Sequence, residues 1–298
     1  MNTKTAFILI AGKPNVGKST LMNALLGEKV AIVSSKPQTT RNKITGILTE
    51  GENQYIFIDT PGLHKPQTLL GEYMMKAIGN ASADADIVLF VIEGGKHLNS
   101  AERTALDSFF AARAKVILLI NKVDKVNKGE LAKQMHEIAE KYDFHSIIPI
   151  SALEKDGLEI IFKELEPLLT ESPHFFPDDI STNQPERQLV AEIIREKILR
   201  LTDDEIPHGI AVVIEEFVDK KDVITVRAEI FCEKEGHKSI LIGRNGDMLK
   251  KIGTYARQDI EELLGVRMYL DLWVKVKENW RDKPALLSNF GYKGDKII

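Results

Sequence analysis

The residues best suited to chemistry form a glycine-rich run near the start of the chain. Gly12-Lys-Pro-Asn-Val-Gly-Lys-Ser19 fits the pattern G-x-x-x-x-G-K-S and lies between an apolar run and a helical pattern. In that context glycines let backbone amides surround a phosphate, and the lysine adds a full positive charge. The pattern predicts a phosphate-binding loop in which Lys18 meets the terminal phosphates and Ser19 binds Mg²⁺. The predicted nucleotide contacts are Gly12, Lys13, Pro14, Asn15, Val16, Gly17, Lys18, Ser19 and Thr20.

A second run, Asn121-Lys-Val-Asp124, follows the apolar stretch 116–120. A carboxylate such as Asp124 accepts from both the ring N–H and the exocyclic amine of guanine, whereas adenine offers no such pair of donors on that edge. We therefore expect GTP or GDP rather than ATP, with contacts from Asn121, Lys122, Val123 and Asp124. A helix-capping turn is the alternative for this run alone. Its place after a strand and downstream of a phosphate loop argues against that alternative.

Two further runs complete the predicted nucleotide site: Asp59, Thr60, Pro61, Gly62 and Leu63, and then Ser151 and Ala152. In Asp59-Thr60-Pro61-Gly62, the carboxylate would hold Mg²⁺ through water and the Gly62 amide would meet the γ-phosphate. Ser151 and Ala152 follow the last strand, where their backbone would touch the guanine carbonyl. A helix cap is the competing interpretation of Ser151.

A polar segment, 34–41, is predicted to act as a switch. A threonine in this segment would reach Mg²⁺ and the γ-phosphate only in the triphosphate state. We choose Thr40, with Thr39 as the rival, and a plain surface loop as the alternative. The switch segments would span 33–43 and 59–72. In Ras-like enzymes a glutamine after D-x-x-G orients the attacking water, but Leu63 stands here, so hydrolysis is either very slow unaided or uses another element.

The elements that must position these residues are short apolar strands alternating with helices from residue 6 to about 170. This pattern indicates an α/β domain with a mostly parallel sheet covered on both faces. A span with three prolines follows, and proline cannot continue a helix or a central strand. We therefore predict a GTP-binding domain over 1–172, a linker over 173–185 and an α+β domain over 186–298.

The second domain carries a G-x-x-G turn at Gly243 to Gly246 between two helical segments. Such a turn lets a nucleic-acid backbone approach closely, as in KH domains. Basic residues exceed acidic ones around it, although a solvated helix face is the alternative. The predicted RNA contacts are Lys238, Ile242, Gly243, Arg244, Asn245, Gly246, Lys250, Lys251 and Arg257. We expect Trp273 in the core, whereas Trp280 or Phe290 would stack on a base or simply pack.

Composition and charge exclude several classes of protein. The chain has 298 residues, a net charge of −4 and one cysteine, Cys232, so a disulfide framework is excluded and a reducing compartment fits. No apolar run approaches the ~20 residues of a membrane helix, and no signal-peptide region is present. We therefore expect a cytoplasmic protein whose basic surface is local.

The runs G-K-P-N-V-G-K-S, Q-T-T-R, D-T-P-G-L and N-K-V-D, followed by I-G-R-N-G, together resemble the Era family of bacterial GTPases over essentially the whole chain. The resemblance implies a Ras-like GTPase domain followed by a type II KH domain. It implies a monomer that acts in maturation of the 30S subunit and binds the 3′ region of small-subunit ribosomal RNA. It also implies peripheral association with the inner face of the cell membrane. The resemblance further implies a potassium ion, held by Asn15, that compensates for Leu63, whereas Asn15 in isolation could equally be a turn residue after Pro14.

These observations predict an enzyme that hydrolyses GTP. Lys18, Thr40, Gly62 and Asn15 are its catalytic candidates, and Ser19, Thr40 and Asp59 its Mg²⁺ candidates. The competing hypothesis is an RNA chaperone or scaffold in which nucleotide only sets the conformation. A GTPase of tRNA modification or membrane transport is a third possibility, which would leave the KH-like segment without a role.

Overall fold

A computed structural model describes residues 3–63, 66–203 and 206–292. The described chain forms two compact units. The first comprises 3–31, 40–63 and 74–183, and the second comprises 32–39, 66–73 and the described part of 184–292. Residues 64 and 65, inside the predicted switch segment 59–72, lie outside the described residues.

The first unit is built on a seven-stranded sheet. Its strands are β1 (Lys4–Ala11), β2 (Ile44–Glu50), β3 (Asn53–Asp59), β4 (Ile87–Glu93), β5 (Lys115–Asn121), β6 (Ser146–Pro149) and β7 (Thr170–Glu171). The order is β2-β3-β1-β4-β5-β6, and β7 pairs with the start of β1. Only the β2–β3 and β1–β7 pairs are antiparallel. The predicted mostly parallel sheet is confirmed.

Both faces of this sheet are covered by helices because its strands are apolar on both sides. In β1, Ile8 and Ile10 belong to one buried cluster, whereas Leu9 and Ala11 belong to another. The first cluster includes residues of α1 (Lys18–Leu26) and α5 (Leu158–Leu165), and the second includes residues of α2 (Leu69–Ala83), α3 (Ser100–Ala111) and α4 (Lys128–Ala139). This alternation follows from the two-residue period of a strand.

One predicted helix is shorter than expected. The sequence predicts a helix over 157–169, but α5 ends at Leu165 and a short 3₁₀ turn follows. Pro167 lies in that turn, and proline lacks the N–H that would continue an α-helix. The chain then enters β7 and pairs with β1.

The second unit has a smaller sheet covered on one face. Its elements are α6 (Glu186–Leu201), β8 (Ala211–Asp219), β9 (Val223–Cys232), α7 (Glu235–Ile242), α8 (Asp247–Leu264), β10 (Arg267–Val276) and α9 (Pro284–Asn289). The strand order is β10-β9-β8, with β9 parallel to β10 and antiparallel to β8. Helices α6, α7 and α8 contribute to its core. This α+β arrangement agrees with the predicted KH domain.

Cys232 ends β9 inside that core. Its side chain is fully buried, and burial raises the pKa of the thiol to about 11. It therefore stays protonated and behaves as a packing residue. Across the described ranges, no helix is long and apolar enough to cross a membrane.

Candidate functional site

The predicted phosphate loop occupies the turn between β1 and α1. Gly17 has φ 101°, and a Cβ added there would lie 2.3 Å from Asn121 Nδ2. Only glycine combines this backbone conformation with such a close neighbour. Gly17 is also the N-cap of α1. The last amides of the loop therefore lie at the start of this helix, where the helix dipole favours an anion.

Lys18 is the buried cation of this loop. Its side chain is 6% exposed, and its Nζ donates to Lys13 O at 3.1 Å. Burial lowers the pKa of Lys18, while the charge of Asp59 acts in the opposite direction. A bound phosphate would add negative charge beside the ammonium group and so favour its protonated form.

Three oxygen-bearing side chains meet beside the loop. Ser19 Oγ donates to Asp59 Oδ2 at 2.6 Å, and Thr40 Oγ1 donates to the same oxygen at 3.2 Å. The two hydroxyls lie 2.8 Å apart. Hydroxyl and carboxylate oxygens are the ligands that Mg²⁺ prefers. This donor set fits the predicted Mg²⁺ site.

The Asp59 carboxylate supplies a further reason for placing a cation there. The residue is fully buried, and its Oδ1 has no hydrogen-bond partner. Burial raises the pKa of Asp59, opposed by the charge of Lys18 and by the hydrogen bonds from Ser19 and Thr40. A divalent cation near Oδ1 would stabilise the charged carboxylate, which a buried site otherwise disfavours.

Thr39, the rival to Thr40, makes different contacts. Its Oγ1 donates to Lys36 O at 2.6 Å, so that hydroxyl is bonded within its own segment. Thr40 instead belongs to the cluster with Ser19 and Asp59. The geometry supports Thr40 as the proposed Mg²⁺ ligand.

The run after β3 returns to the phosphate loop. The amide of Leu63 donates to Gly12 O at 3.1 Å, and a Cβ added to Gly62 would lie 2.5 Å from Pro14 N. Thr60 Oγ1 donates to Ile10 O at 3.2 Å. The Leu63 side chain packs against the core cluster shared with α2, α3 and α4, so it offers no polar group to an attacking water.

Asn121 connects the three loops of the predicted guanine site. Its Nδ2 donates to Val16 O at 2.7 Å, and its Oδ1 accepts from the amides of Lys122 and Ala152 at 2.8 and 2.9 Å. Lys122 Nζ donates to Asn15 O at 2.7 Å. One amide side chain thus ties the phosphate loop to the turns after β5 and β6.

Asp124 is an exposed carboxylate at the rim of this arrangement. One oxygen is held by Ser151, whose Oγ donates to Asp124 Oδ1 at 2.7 Å. Ser151 Oγ also accepts from the amide of Glu154 at 3.3 Å. The prediction gave Ser151 only a backbone role and missed this side-chain contact, since the two residues are distant in sequence and only the fold brings them together.

Residues 33–39 of the predicted switch segment 33–43 are held on α6, within the second unit. The amide of Val33 donates to Glu196 Oε1 at 2.9 Å, and Val33 O accepts from Arg200 Nη2 at 3.1 Å. Glu196 is fully buried. The buried Glu196 carboxylate therefore holds the beginning of the segment.

Arg195 holds the end of the same segment. Its guanidinium donates to Thr39 O and to Gln38 O, and its Nε donates to Glu192 Oε1 at 3.0 Å. The side chain is 1% exposed. The next residue along the chain is Thr40, which belongs to the proposed Mg²⁺ cluster.

The G-x-x-G turn lies between α7 and α8, as predicted. Gly243 has φ 75°, and a Cβ added there would lie 2.7 Å from Met248 N, so this position requires glycine. Arg244 and Asn245 are exposed in the turn. The amide of Gly246 donates to Gly243 O at 3.3 Å and closes it.

A groove of about 400 Å³ runs beside this turn, between α8 and β10. Three of the predicted RNA contacts line it: Gly246, Lys250 and Arg257. The prediction missed the remaining lining residues, which are Leu249, Gly253, Thr254, Met268, Tyr269, Leu270 and Leu272. Leu249, Gly253 and Thr254 lie on the same face of α8 as Lys250 and Arg257. Their helical spacing could have identified them from the sequence.

Comparison with known proteins matches both units. Residues 7–122 match a family described as 50S ribosome-binding GTPase, and residues 205–281 match the KH domain family. The chain is 45% identical to GTPase Era of Ruminiclostridium cellulolyticum, covering 99% of this chain and 100% of that protein. It is 47% identical to GTPase Era of Clostridioides difficile, covering 97% and 98%. The chain belongs to the Era family of GTPases.

Solved Era structures share the fold over 97% of this chain. A variant of Aquifex aeolicus Era bound to GDP and aluminium fluoride is 39% identical, with a TM-score of 0.94 over 97% of this chain and 99% of that one. A structure of Era in complex with MgGDPNP and nucleotides 1506–1542 of 16S ribosomal RNA matches with the same identity, TM-score and coverage. The resemblance seen in the sequence is confirmed.

The structure favours packing over base stacking for Trp280 and Phe290, and it shows that the expectation for Trp273 is wrong. Trp280, a candidate for stacking on a base, is fully buried, and its Nε1 donates to Gly209 O at 2.9 Å. Phe290 stacks on Phe231 with ring centroids 4.5 Å apart. Trp273, expected in the core, is 57% exposed. It belongs to the alternating positions of β10 that face away from the helices.

Proposed function

We propose that this chain hydrolyses GTP with Mg²⁺, binds the 3′ region of small-subunit ribosomal RNA through its KH domain, and acts in assembly of the 30S subunit. The full-length match to Era bound to MgGDPNP and a 16S ribosomal RNA fragment carries this proposal. The family description for 7–122 names the 50S particle, but it covers the GTPase part alone. The match that includes the RNA-binding domain points to small-subunit RNA.

The nucleotide site supports a phosphoryl-transfer mechanism based on positioning and electrostatics. Lys18 and the phosphate-loop amides stabilise negative charge on the transferring group, and the Gly62 amide meets the γ-phosphate. Ser19, Thr40 and Asp59 would hold Mg²⁺, which would neutralise phosphate charge. Asn121 keeps the three loops in register, so that Asp124 faces the guanine edge.

The boundaries and location proposed from the sequence are retained. The GTP-binding domain covers 1–172, the linker 173–185 and the KH domain 186–298. The protein works as a monomer in the cytoplasm, with peripheral association with the inner face of the membrane. Analytical ultracentrifugation and cell fractionation would test these two statements.

Potassium is expected to stimulate GTP hydrolysis, because Leu63 offers no polar group to the attacking water and a monovalent cation can supply charge beside the phosphates. We propose that Asn15 holds this ion. Turnover measured in potassium and in sodium buffers, with and without 30S particles, should be higher in potassium by about tenfold or more, equivalent to ~1.4 kcal/mol of barrier. No turnover under any of these conditions would favour the scaffold hypothesis, in which nucleotide only sets the conformation.

The matched variant for this experiment is Asn15→Gly. Asn15 has φ 64°, a conformation that glycine adopts without strain, so the change removes the amide and keeps the backbone. We expect Asn15→Gly to bind GDP like the wild type and to lose the difference between potassium and sodium. A variant that still responded to potassium would exclude Asn15 as the ligand.

We propose that nucleotide state controls RNA binding through the segment 33–39. Arg195 and Glu196 bond its backbone to α6 of the KH domain. The chain continues directly into Thr40, which is proposed to bond Mg²⁺ and the γ-phosphate in the triphosphate state. A movement of Thr40 would therefore be transmitted to α6 through a short, buried stretch of backbone.

Arg195→Gln should make RNA affinity independent of the bound nucleotide. The substitution removes the guanidinium bonds to Gln38 O and Thr39 O while keeping a polar side chain. RNA affinity measured with GDP and with a non-hydrolysable GTP analogue should then become equal within about twofold. Arg200→Gln is the matched control, since Arg200 also bonds the segment but is about half exposed, and exposed pairs contribute little. A folded Arg195→Gln protein with the wild-type difference would contradict this coupling.

A further inference from the structure

The open face of the second sheet carries two large aromatic side chains. Trp273 is 57% and Tyr269 62% exposed, and both lie on the face of β10 that points away from the helices. The intervening Leu270 and Leu272 point the other way and pack against the core. Exposed aromatic pairs of this kind are typical of surfaces that bind a partner.

This face is continuous with the groove beside the G-x-x-G turn. Strand β10 is the edge of its sheet and forms one wall of the groove, with Tyr269 among the lining residues. Glu261, near the end of α8, accepts from the amide of Met268 at 2.8 Å, and a Cβ added to Gly253, nearer the G-x-x-G turn, would lie 3.4 Å from Leu272 Cδ1. The two elements therefore run in opposite directions. The G-x-x-G end of the groove therefore lies beside Leu272, the neighbour of Trp273.

The indole ring of Trp273 is held in place. Its Nε1 donates to Asp271 Oδ2 at 2.8 Å, and Asp271 shares its face of the strand. A ring that is already ordered loses less conformational entropy when a base stacks on it. The hydrogen bond thus favours stacking as the use of this side chain.

Charges on this face are largely paired within the protein. Arg227 pairs with Glu216 at 3.4 Å, and Lys275 pairs with Glu229. Phosphate attraction instead comes from the groove, where Lys250 and Arg257 are exposed. The open face therefore suits bases, and the groove suits the backbone that carries them.

We propose that single-stranded RNA longer than the groove crosses the edge strand and stacks its flanking bases on Trp273 and Tyr269. A KH groove holds about four nucleotides, so a longer strand must leave it at one end. This inference rests on the proposed RNA binding by the KH domain. It adds a stacking surface, the open face of β10, to the groove itself.

Two RNA lengths test the proposal: oligonucleotides of about four and about ten residues from the 3′ region of small-subunit ribosomal RNA. Trp273→Ala should weaken binding of the longer RNA by about 5- to 100-fold and leave the short RNA within about twofold. Trp273→Phe should restore most of the affinity. Tyr255→Ala is the matched control, because Tyr255 is an exposed aromatic on the side of α8 away from the groove.

Fluorescence supplies an independent measurement. The chain has two tryptophans, and Trp280 is fully buried, so the longer RNA should quench emission from Trp273. Trp273→Phe should abolish the quenching while the longer RNA still binds.

Several results would overturn this inference. One is an unchanged affinity of folded Trp273→Ala for the longer RNA. Another is an equal loss of affinity for both RNA lengths. A third is a loss of affinity seen only with 30S particles, which would indicate that a protein binds this face. If the wild type bound neither RNA, the proposed function would fail as well. Binding of both RNAs by the wild type with no effect of Trp273→Ala would defeat the stacking surface alone.

Discussion

Asp124→Asn is expected to change the preferred base of this chain from guanine to xanthine. A carboxylate accepts from the ring N–H and the exocyclic amine of guanine, whereas an amide offers one acceptor and one donor. Xanthine carries a carbonyl in place of the exocyclic amine and so matches the amide. Because two charge-assisted bonds are affected, GDP affinity should fall by about 10²- to 10⁴-fold. Competition of GDP and xanthosine diphosphate for the variant measures this directly.

Two control variants separate base recognition from local disturbance. Asp156→Asn makes the same chemical change at an exposed carboxylate in the neighbouring turn, and its GDP affinity should stay within about twofold. Ser151→Ala removes the 2.7 Å bond to Asp124. It should cost about 3- to 10-fold in affinity without changing the preferred base. Wild-type GDP binding by Asp124→Asn would place the base-reading group elsewhere.

Gly243→Asp should reduce RNA affinity by about 100-fold or more while leaving RNA-free GTP turnover within about twofold. The new side chain would be strained at φ 75° and crowded by Met248 N at 2.7 Å. Its carboxylate would also repel the phosphate backbone that the turn admits. Binding of an oligonucleotide from the 3′ region of small-subunit ribosomal RNA, followed by fluorescence anisotropy, measures the effect.

The matched control adds the same charge without the strain. Gly236 lies in the first turn of α7, and a Cβ added there meets no atom within 4 Å, so Gly236→Asp should bind RNA like the wild type. Lys250→Ala provides a second variant that leaves the turn intact. It should weaken RNA binding and reduce the slope of log affinity against log salt concentration by about one, the contribution of one phosphate contact. Unchanged RNA binding by both Gly243→Asp and Lys250→Ala would exclude the groove as the RNA site.

Much of the nucleotide site could be predicted because its parts are local. The phosphate loop is a run of consecutive residues, and the helical pattern predicted after it is α1, Lys18–Leu26. Unbroken apolar runs predicted a mostly parallel sheet, and parallel strands place their following loops at one edge. That rule brings Gly12, Asp59 and Asn121 together without knowledge of the side-chain contacts.

The sequence by itself therefore determined which chemistry to expect: a phosphate loop, a carboxylate predicted to read guanine, a G-x-x-G turn and a leucine where a glutamine is common. Only the tertiary structure decided which side of β10 is covered. Strand alternation separates Trp273 from Leu272 but does not reveal which of the two faces solvent. The hydrogen bonds of segment 33–39 to Arg195 and Glu196 could not be predicted from the sequence either, because they join residues far apart in the chain. Long-range contacts of this kind depend on how elements pack, whereas motifs depend on neighbouring residues.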